Sequence, residues 1–143
     1  MNTTPSMYDF GDGEGPVPAH RHVNGGGWVA DTATVVDTAY VGPNARVYEE
    51  ARVFGSAVVF GSARVFGLAE VCGLAEVCGL ATVCGLAMVY DSAQVFDSAE
   101  VFGGADVCGA ARILGSTRAY ATVGSASRAR LCPASPRSRN PSL

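Results

Sequence analysis

Apolar and polar positions alternate along this chain with a period of six residues. Valine stands at 29, 35, 41, 47, 53, 59, 65, 71, 77, 83, 89, 95, 101 and 107, and Ile113 takes the next slot. Alanine keeps the same step two positions ahead of the valines, from Ala33 and Ala39 through to Ala105 and Ala111. The residue between them is frequently charged, as in Ala63-Arg64-Val65 and Ala99-Glu100-Val101. Two apolar residues around one charged residue is the alternation of a short strand with one buried face. Two residues after most of these aliphatic positions comes Gly, at 55, 61, 67, 73, 79, 85, 103, 109 and 115, or Asp, at 31, 37, 91 and 97. These types tolerate a positive φ and let the chain turn a corner at little cost. Each unit is therefore one short strand and one bend. A helix is excluded, because a step of six does not hold apolar residues on one side at 3.6 per turn. Gly in every unit would also cost a helix about 1 kcal/mol each. A period this strict marks stacked units and not a conventional globular core.

The repeating unit, aliphatic, x, x, x, small, x, resembles that of the hexapeptide-repeat proteins, the superfamily of trimeric acyltransferases and gamma-class carbonic anhydrases. The match runs through residues 29–118. The resemblance implies an all-β fold, a left-handed parallel β-helix (β-solenoid) with three hexapeptides per triangular coil. The left-handed winding comes from the resemblance alone, since parallel crossovers are otherwise right-handed in about 98% of cases. Three units make a coil, so residues 29–118 predict about five coils, and at about 4.8 Å per coil the rod is roughly 24 Å long. Each buried Val contributes about 1.5–3 kcal/mol against about 1–2 kcal/mol of backbone entropy per ordered residue. Stability therefore accumulates from stacked layers. The run Asn24-Gly25-Gly26-Gly27-Trp28-Val29-Ala30-Asp31 also looks like the lead-in of uncharacterised bacterial and phage hexapeptide-repeat proteins, a likeness with no activity attached.

Where the period is absent the chain divides. Residues 1–28 read as an N-terminal cap and lead-in, 29–120 as the β-helix, and 121–143 as a disordered tail rich in Ser, Arg and Pro. A stacked solenoid must cover its first coil, and Trp28, just ahead of the first valine, is the expected lid. The repeat decays after Ile113: Ala119 occupies a valine slot and Thr117 an alanine slot. From residue 107 onward there is no acid but six arginines, a composition that predicts a solvated tail.

Residues one coil apart stack on one wall, so the position after each valine forms ladders. The first wall carries Tyr48, Phe66, Cys84, Phe102 and Tyr120; the second Val36, Phe54, Cys72, Tyr90 and Cys108; the third Phe60, Cys78, Phe96 and Leu114. These ladders support coil stacking or offer a flat apolar surface. From Leu68 through Leu74 and Leu80 to Leu86 the corner position that is Ser elsewhere becomes Leu, and with Met88 this makes a belt around the middle of the rod. Exposed apolar area of that kind marks an interface, so self-association is expected, as a trimer or an end-to-end polymer. The uncharged run from Val77 to Tyr90 is too short and too strand-like to insert in a membrane.

Composition adds little beyond this. The chain has 143 residues, 48% hydrophobic, with a net charge of -3, which does not point to nucleic acid. No basic start followed by an apolar run predicts a signal peptide. Cys72, Cys78 and Cys84 fall on three walls, and Cys72 and Cys108 lie two coils apart, roughly 9–10 Å, so they are expected as unpaired ladder residues in a reducing, cytoplasmic compartment. Asp9-Phe10-Gly11 has none of the context of a kinase triplet, and Asp9, Asp12 and Glu14 miss the spacing of a calcium loop. His20 and His22 alternate along an extended segment without a clear third ligand, so neither metal nor cofactor is expected.

The superfamily resemblance suggests acyl transfer with a histidine base in a subunit groove, yet His20 and His22 are the only histidines and precede the first coil. No insertion interrupts residues 29–113, and the three histidines of a gamma-class metal site are not present. Antifreeze solenoids need ranks of outward Thr, whereas the outward positions here mix Arg, Glu, Thr and Gln. The reading is a non-catalytic structural or binding β-solenoid. The alternative is an acyltransferase-like enzyme using His20 or His22 across a trimer interface; no small-molecule ligand is identified.

Overall fold

The computed structural model describes residues 6–11, 13, 15–121 and 130–131, with backbone alone at 120–121 and 130–131. Among these residues all regular structure is β. The chain opens with β1 (Met7–Asp9), β2 (Pro16–Arg21) and β3 (Trp28–Ala30). Short strands follow at each unit: β4 (Thr34–Val35), β5 (Tyr40–Val41), β6 (Arg46–Val47), β7 (Arg52–Val53), β8 (Val58–Val59), β9 (Arg64–Val65), β10 (Glu70–Val71), β11 (Glu76–Val77) and β12 (Thr82–Val83). The series continues with β13 (Met88–Val89), β14 (Gln94–Val95), β15 (Glu100–Gly103), β16 (Asp106–Val107), β17 (Arg112–Ile113), β18 (Arg118–Ala121) and β19 (Arg130–Leu131).

These strands stack in parallel as a β-solenoid of about five turns with three walls. The first wall runs β3-β6-β9-β12-β15-β18, the second β4-β7-β10-β13-β16-β19, and the third β5-β8-β11-β14-β17. Every third strand pairs in a register of 18 residues, Arg64 with Thr82 and Val77 with Val95 for example. Alternation decides what goes inside: from Val41 to Val107 every valine in the period is fully buried, and so are the alanines from Ala51 to Ala105. The hydrogen bonds that would lie within a sheet run from coil to coil, as from the Arg64 N–H to the Ala81 carbonyl at 3.0 Å and from the Phe66 N–H to the Val83 carbonyl at 3.0 Å.

The corners close by turns such as Ala75 N–H to the Cys72 carbonyl, 3.3 Å. Gly73, the first central residue of that turn, has φ +69, the pattern of a type II′ turn. Asp91 and Asp97 hold the same conformation at φ 61, and Glu49, which the sequence does not mark as a corner residue, holds it at φ 60. Asp31 and Asp37 do not adopt it, which corrects the expectation for the first coil. There the hydroxyls of Thr32 and Thr38 donate to the corner carbonyls of Glu49 and Gly55 in the next coil. In later coils a backbone N–H fills that role, as from Leu74 to the Asp91 carbonyl at 2.8 Å.

The lead-in is built and not merely draped. β1 pairs antiparallel with β2, and β2 with β3, so a hairpin extends the first wall beyond the first coil. The loop between β2 and β3 covers the edge of the third wall: Gly27 N–H donates to the Val41 carbonyl at 2.9 Å and Val41 N–H to the Asn24 carbonyl at 3.0 Å.

At the other end one further short strand, β19, falls within the segment read as the tail. Arg130 stands in register with Asp106 and Leu131 with Val107, a step of 24 residues where 18 is the rule. The edge of β16 has unpaired backbone groups to satisfy, and Arg130-Leu131 supplies a charged-then-aliphatic pair like those of Arg64-Val65 and Glu100-Val101. The rest of the tail expected at 121–143 lies outside the described residues, as do Asp12 and Glu14 of the acidic trio and the Tyr120 side chain.

Candidate functional site

Candidate residues gather in two places, the N-terminal cap and the middle coil. In the cap, alternation along β2 separates the two histidines from Arg21. His22 is 5% exposed and its Nε2 lies 2.8 Å from the Ala39 carbonyl, the position that a backbone N–H of a preceding coil would occupy. His20 is half-exposed, and its Nδ1 lies 2.7 Å from Oδ1 of Asp31. The two rings thus serve separate contacts and do not converge. Among the described residues no group of three or more His, Cys, Asp or Glu side chains is placed to hold a metal ion.

Trp28 is partly buried and packs against the core. Its indole is stacked on Tyr8 with centroids 4.6 Å apart, with the Arg21 guanidinium 4.8 Å from its ring. The residue that enters the end of the rod is Phe10, 1% exposed and stacked on Tyr48 at 4.7 Å. Tyr48 stacks in turn on Phe66 at 4.8 Å with 9° between the rings. The first-wall ladder therefore gains a rung from outside the repeat. No periodic signal in the sequence marks Phe10, because the hairpin delivers it from a segment with no register of its own. Beside it a recess of about 270 Å³ is lined by Phe10, Val17, Pro18, Ala30 and Tyr48, with Asp31, Thr32 and Glu49 at its rim. A more polar recess of about 360 Å³ lies between Tyr8, Arg21, Trp28 and Arg46, where Arg46 Nη1 donates to the Phe10 carbonyl at 3.1 Å.

In the middle coil, Cys72, Cys78 and Cys84 take the ladder position of one wall each. The other ladder aromatics, Phe54, Phe60, Tyr90, Phe96 and Phe102, are therefore separated from one another by a thiol. Arginines lie over several of them instead, Arg52 at 5.7 Å from the Phe54 ring, Arg112 at 5.5 Å from Phe96 and Arg118 at 5.2 Å from Phe102. The three thiols are free. Burial pushes each thiol above its ordinary range, and neighbouring carboxylates add to this: Glu70 and Asp91 for Cys72, Glu76 and Asp97 for Cys78. At Cys84 burial leads again, followed by Glu100, with Arg64 pulling the other way. Thiols so placed stay protonated and are weak nucleophiles. Cys108 corrects the reading of the cysteines as uniformly reduced: it is buried and disulfide-bonded. The thiol-based ground for a reducing compartment goes with it.

The leucines of the belt are exposed, 52% at Leu68, 64% at Leu74, 65% at Leu80 and 37% at Leu86. Leu68 and Leu86 share the corner between the first and second walls, Leu74 takes the next corner and Leu80 the third. They circle the rod, so no flat partner meets them all. Met88 is half-buried on the second wall, in register between Glu70 and Asp106. No helix among the described residues is long and apolar enough to cross a membrane.

Compared with known proteins, the chain matches no family model, no curated protein and no solved structure. Its class is set by the fold: a β-solenoid repeat protein.

Proposed function

We propose that this chain is a non-catalytic structural or binding β-solenoid of the hexapeptide-repeat type, left-handed like that superfamily, which self-associates through its outer surface. The observation that carries the reading is the use made of His22, the more buried of the two histidines. Its ring replaces a missing rung by meeting the Ala39 carbonyl, so it is spent on closing the rod. The exposed leucines on all three corners supply apolar area that a lone rod leaves in water.

A second reading, acyl transfer across a trimer interface, has one observation in its favour. His20 is exposed and oriented by Asp31 at 2.7 Å, the pairing that holds a general base in place. Calorimetric titration with acetyl-CoA decides between the two. Absence of binding is the result expected of a scaffold. Binding by the parent chain that is lost in His20→Ala, with the fold intact, would overturn it in favour of the enzyme. Sedimentation over a concentration series tests self-association, and a monomer at every concentration would remove that part.

A further inference from the structure

We propose that the third wall is a self-complementary interface on which two copies of this chain pack face to face with their rods antiparallel, about a twofold axis lying along β14. This rests on the self-association proposed above and names its surface. On the other two walls opposite charges occupy adjacent coils and pair within the chain: Arg52 with Glu70 at 3.2 Å on the second, Arg118 with Glu100 at 3.1 Å on the first. The third wall is built differently. Its charged outward residues among the described strands are Glu76 on β11 and Arg112 on β17, and Gln94 of β14 stands between them in register. Two coils apart, about 9–10 Å, they are too far to pair in one chain. Gln94 donates to Glu76 at 3.3 Å, and Arg112 lies over Phe96.

Opposite charges placed one coil either side of a common strand are what an isologous interface requires, since residue i then meets residue j and j meets i. Turning a second copy about an axis along β14 keeps the strand directions and reverses the order of coils. Glu76 of each copy then faces Arg112 of the other, and the two Gln94 amides face each other at the centre. The same rotation answers the leucines. Leu74 and Leu80 project from the two corners that flank β11, and they are the most exposed leucines among the described residues. The corners that flank β17 at the equivalent places carry Ala110 and Ser116, both small. Projection meets recess on both sides. Leu114, 46% exposed on the same wall, falls opposite Cys78. A rotation centred on β11 would set Glu76 against Glu76 and is disfavoured by like charge. Contact across three strands is narrow compared with standard interfaces, so the dimer is weak and sensitive to salt.

Sedimentation equilibrium of the full chain at low and high salt, with Glu76→Arg, Arg112→Glu and the double variant, tests the proposal. Each single reversal is expected to weaken the dimer about tenfold or more, and the double reversal to bring it back near the parent. Circular dichroism checks that the variants fold. Leu80→Asp, at a corner position open to water, supplies a second probe and is expected to weaken the dimer while leaving Glu76 and Arg112 in place. If the parent dimerises while the charge variants and Leu80→Asp match it, or if the double variant is no better than the singles, the third wall is not the interface and self-association uses another surface. A parent that stays monomeric at millimolar concentration overturns both this assignment and the self-association it rests on.

Discussion

The Asp91 carboxylate accepts a hydrogen bond from the Gly109 N–H at 3.1 Å, linking one corner to the corner directly above it in the next coil. Asp97 does the same with Gly115 at 3.1 Å, and Glu49 with Gly67 at 3.0 Å. Among the described residues these three acids are the non-glycine positions at positive φ. A side chain in that conformation costs about 1–2 kcal/mol, and a bond from a backbone N–H to a charged acceptor returns about as much. Asp91→Ala keeps the strain and removes the bond, so it is expected to lower unfolding free energy by about 1–2 kcal/mol. Asp91→Gly loses both together and should stay close to the parent. Urea unfolding measures the pair, and equal stabilities for Ala and Gly at this position would show that the bond and the strain do not offset.

Glycine corners give the converse case. A Cβ on Gly55 would lie 2.9 Å from the Gly73 N atom, at φ +70. Gly55→Ala is expected to destabilise by more than about 1 kcal/mol, while Gly55→Asp places an acceptor on the same N–H and should recover part of the loss. Thermal unfolding of the two variants checks the order. Asp no better than Ala would mean that the acids at 91 and 97 are tolerated for another reason.

The cap makes a sharper prediction. Phe10→Ala empties the end of the Tyr48–Phe66 stack and is expected to cost about 3 kcal/mol or more. His22→Ala leaves the Ala39 carbonyl without its ring partner and should cost about 1–3 kcal/mol, whereas His20→Ala, on the surface, should cost under 1 kcal/mol. Hydrogen exchange at β3 and β5 should accelerate in the first two variants and not in the third. Uniform loss across all three would assign the histidines no distinct structural part.

The free thiols set a pH dependence. Folded Cys72, Cys78 and Cys84 ionise above their unfolded range, chiefly through burial. At pH 8 alkylation of the native chain should therefore be slower than in urea. In the linkage sense the folded state holds protons that the unfolded state has released, so stability is unaffected below the unfolded thiol range and falls as pH rises from there through the folded value. Replacement of all three by Ser should flatten that alkaline fall; an unchanged slope would place its origin elsewhere.

What the sequence by itself determined is the rung: strand, corner, buried Val and Ala, outward charge, and the step of 18 that sets Arg64 beside Thr82. Each of these follows from alternation and from stacking on a neighbour of the same kind, so the period encodes them over and over. The contacts that tertiary structure alone decided have no repeated partner. Phe10 reaches Tyr48 and His22 reaches Ala39 because a hairpin folds back over the first coil, and β19 lands on the second wall because an open strand edge needed a partner. Thr32 and Thr38 replace a backbone donor only because the first corners hold a different φ. These are single events between distant segments, and they depend on which backbone groups the finished stack leaves unsatisfied, a property that exists only once the coils are in place.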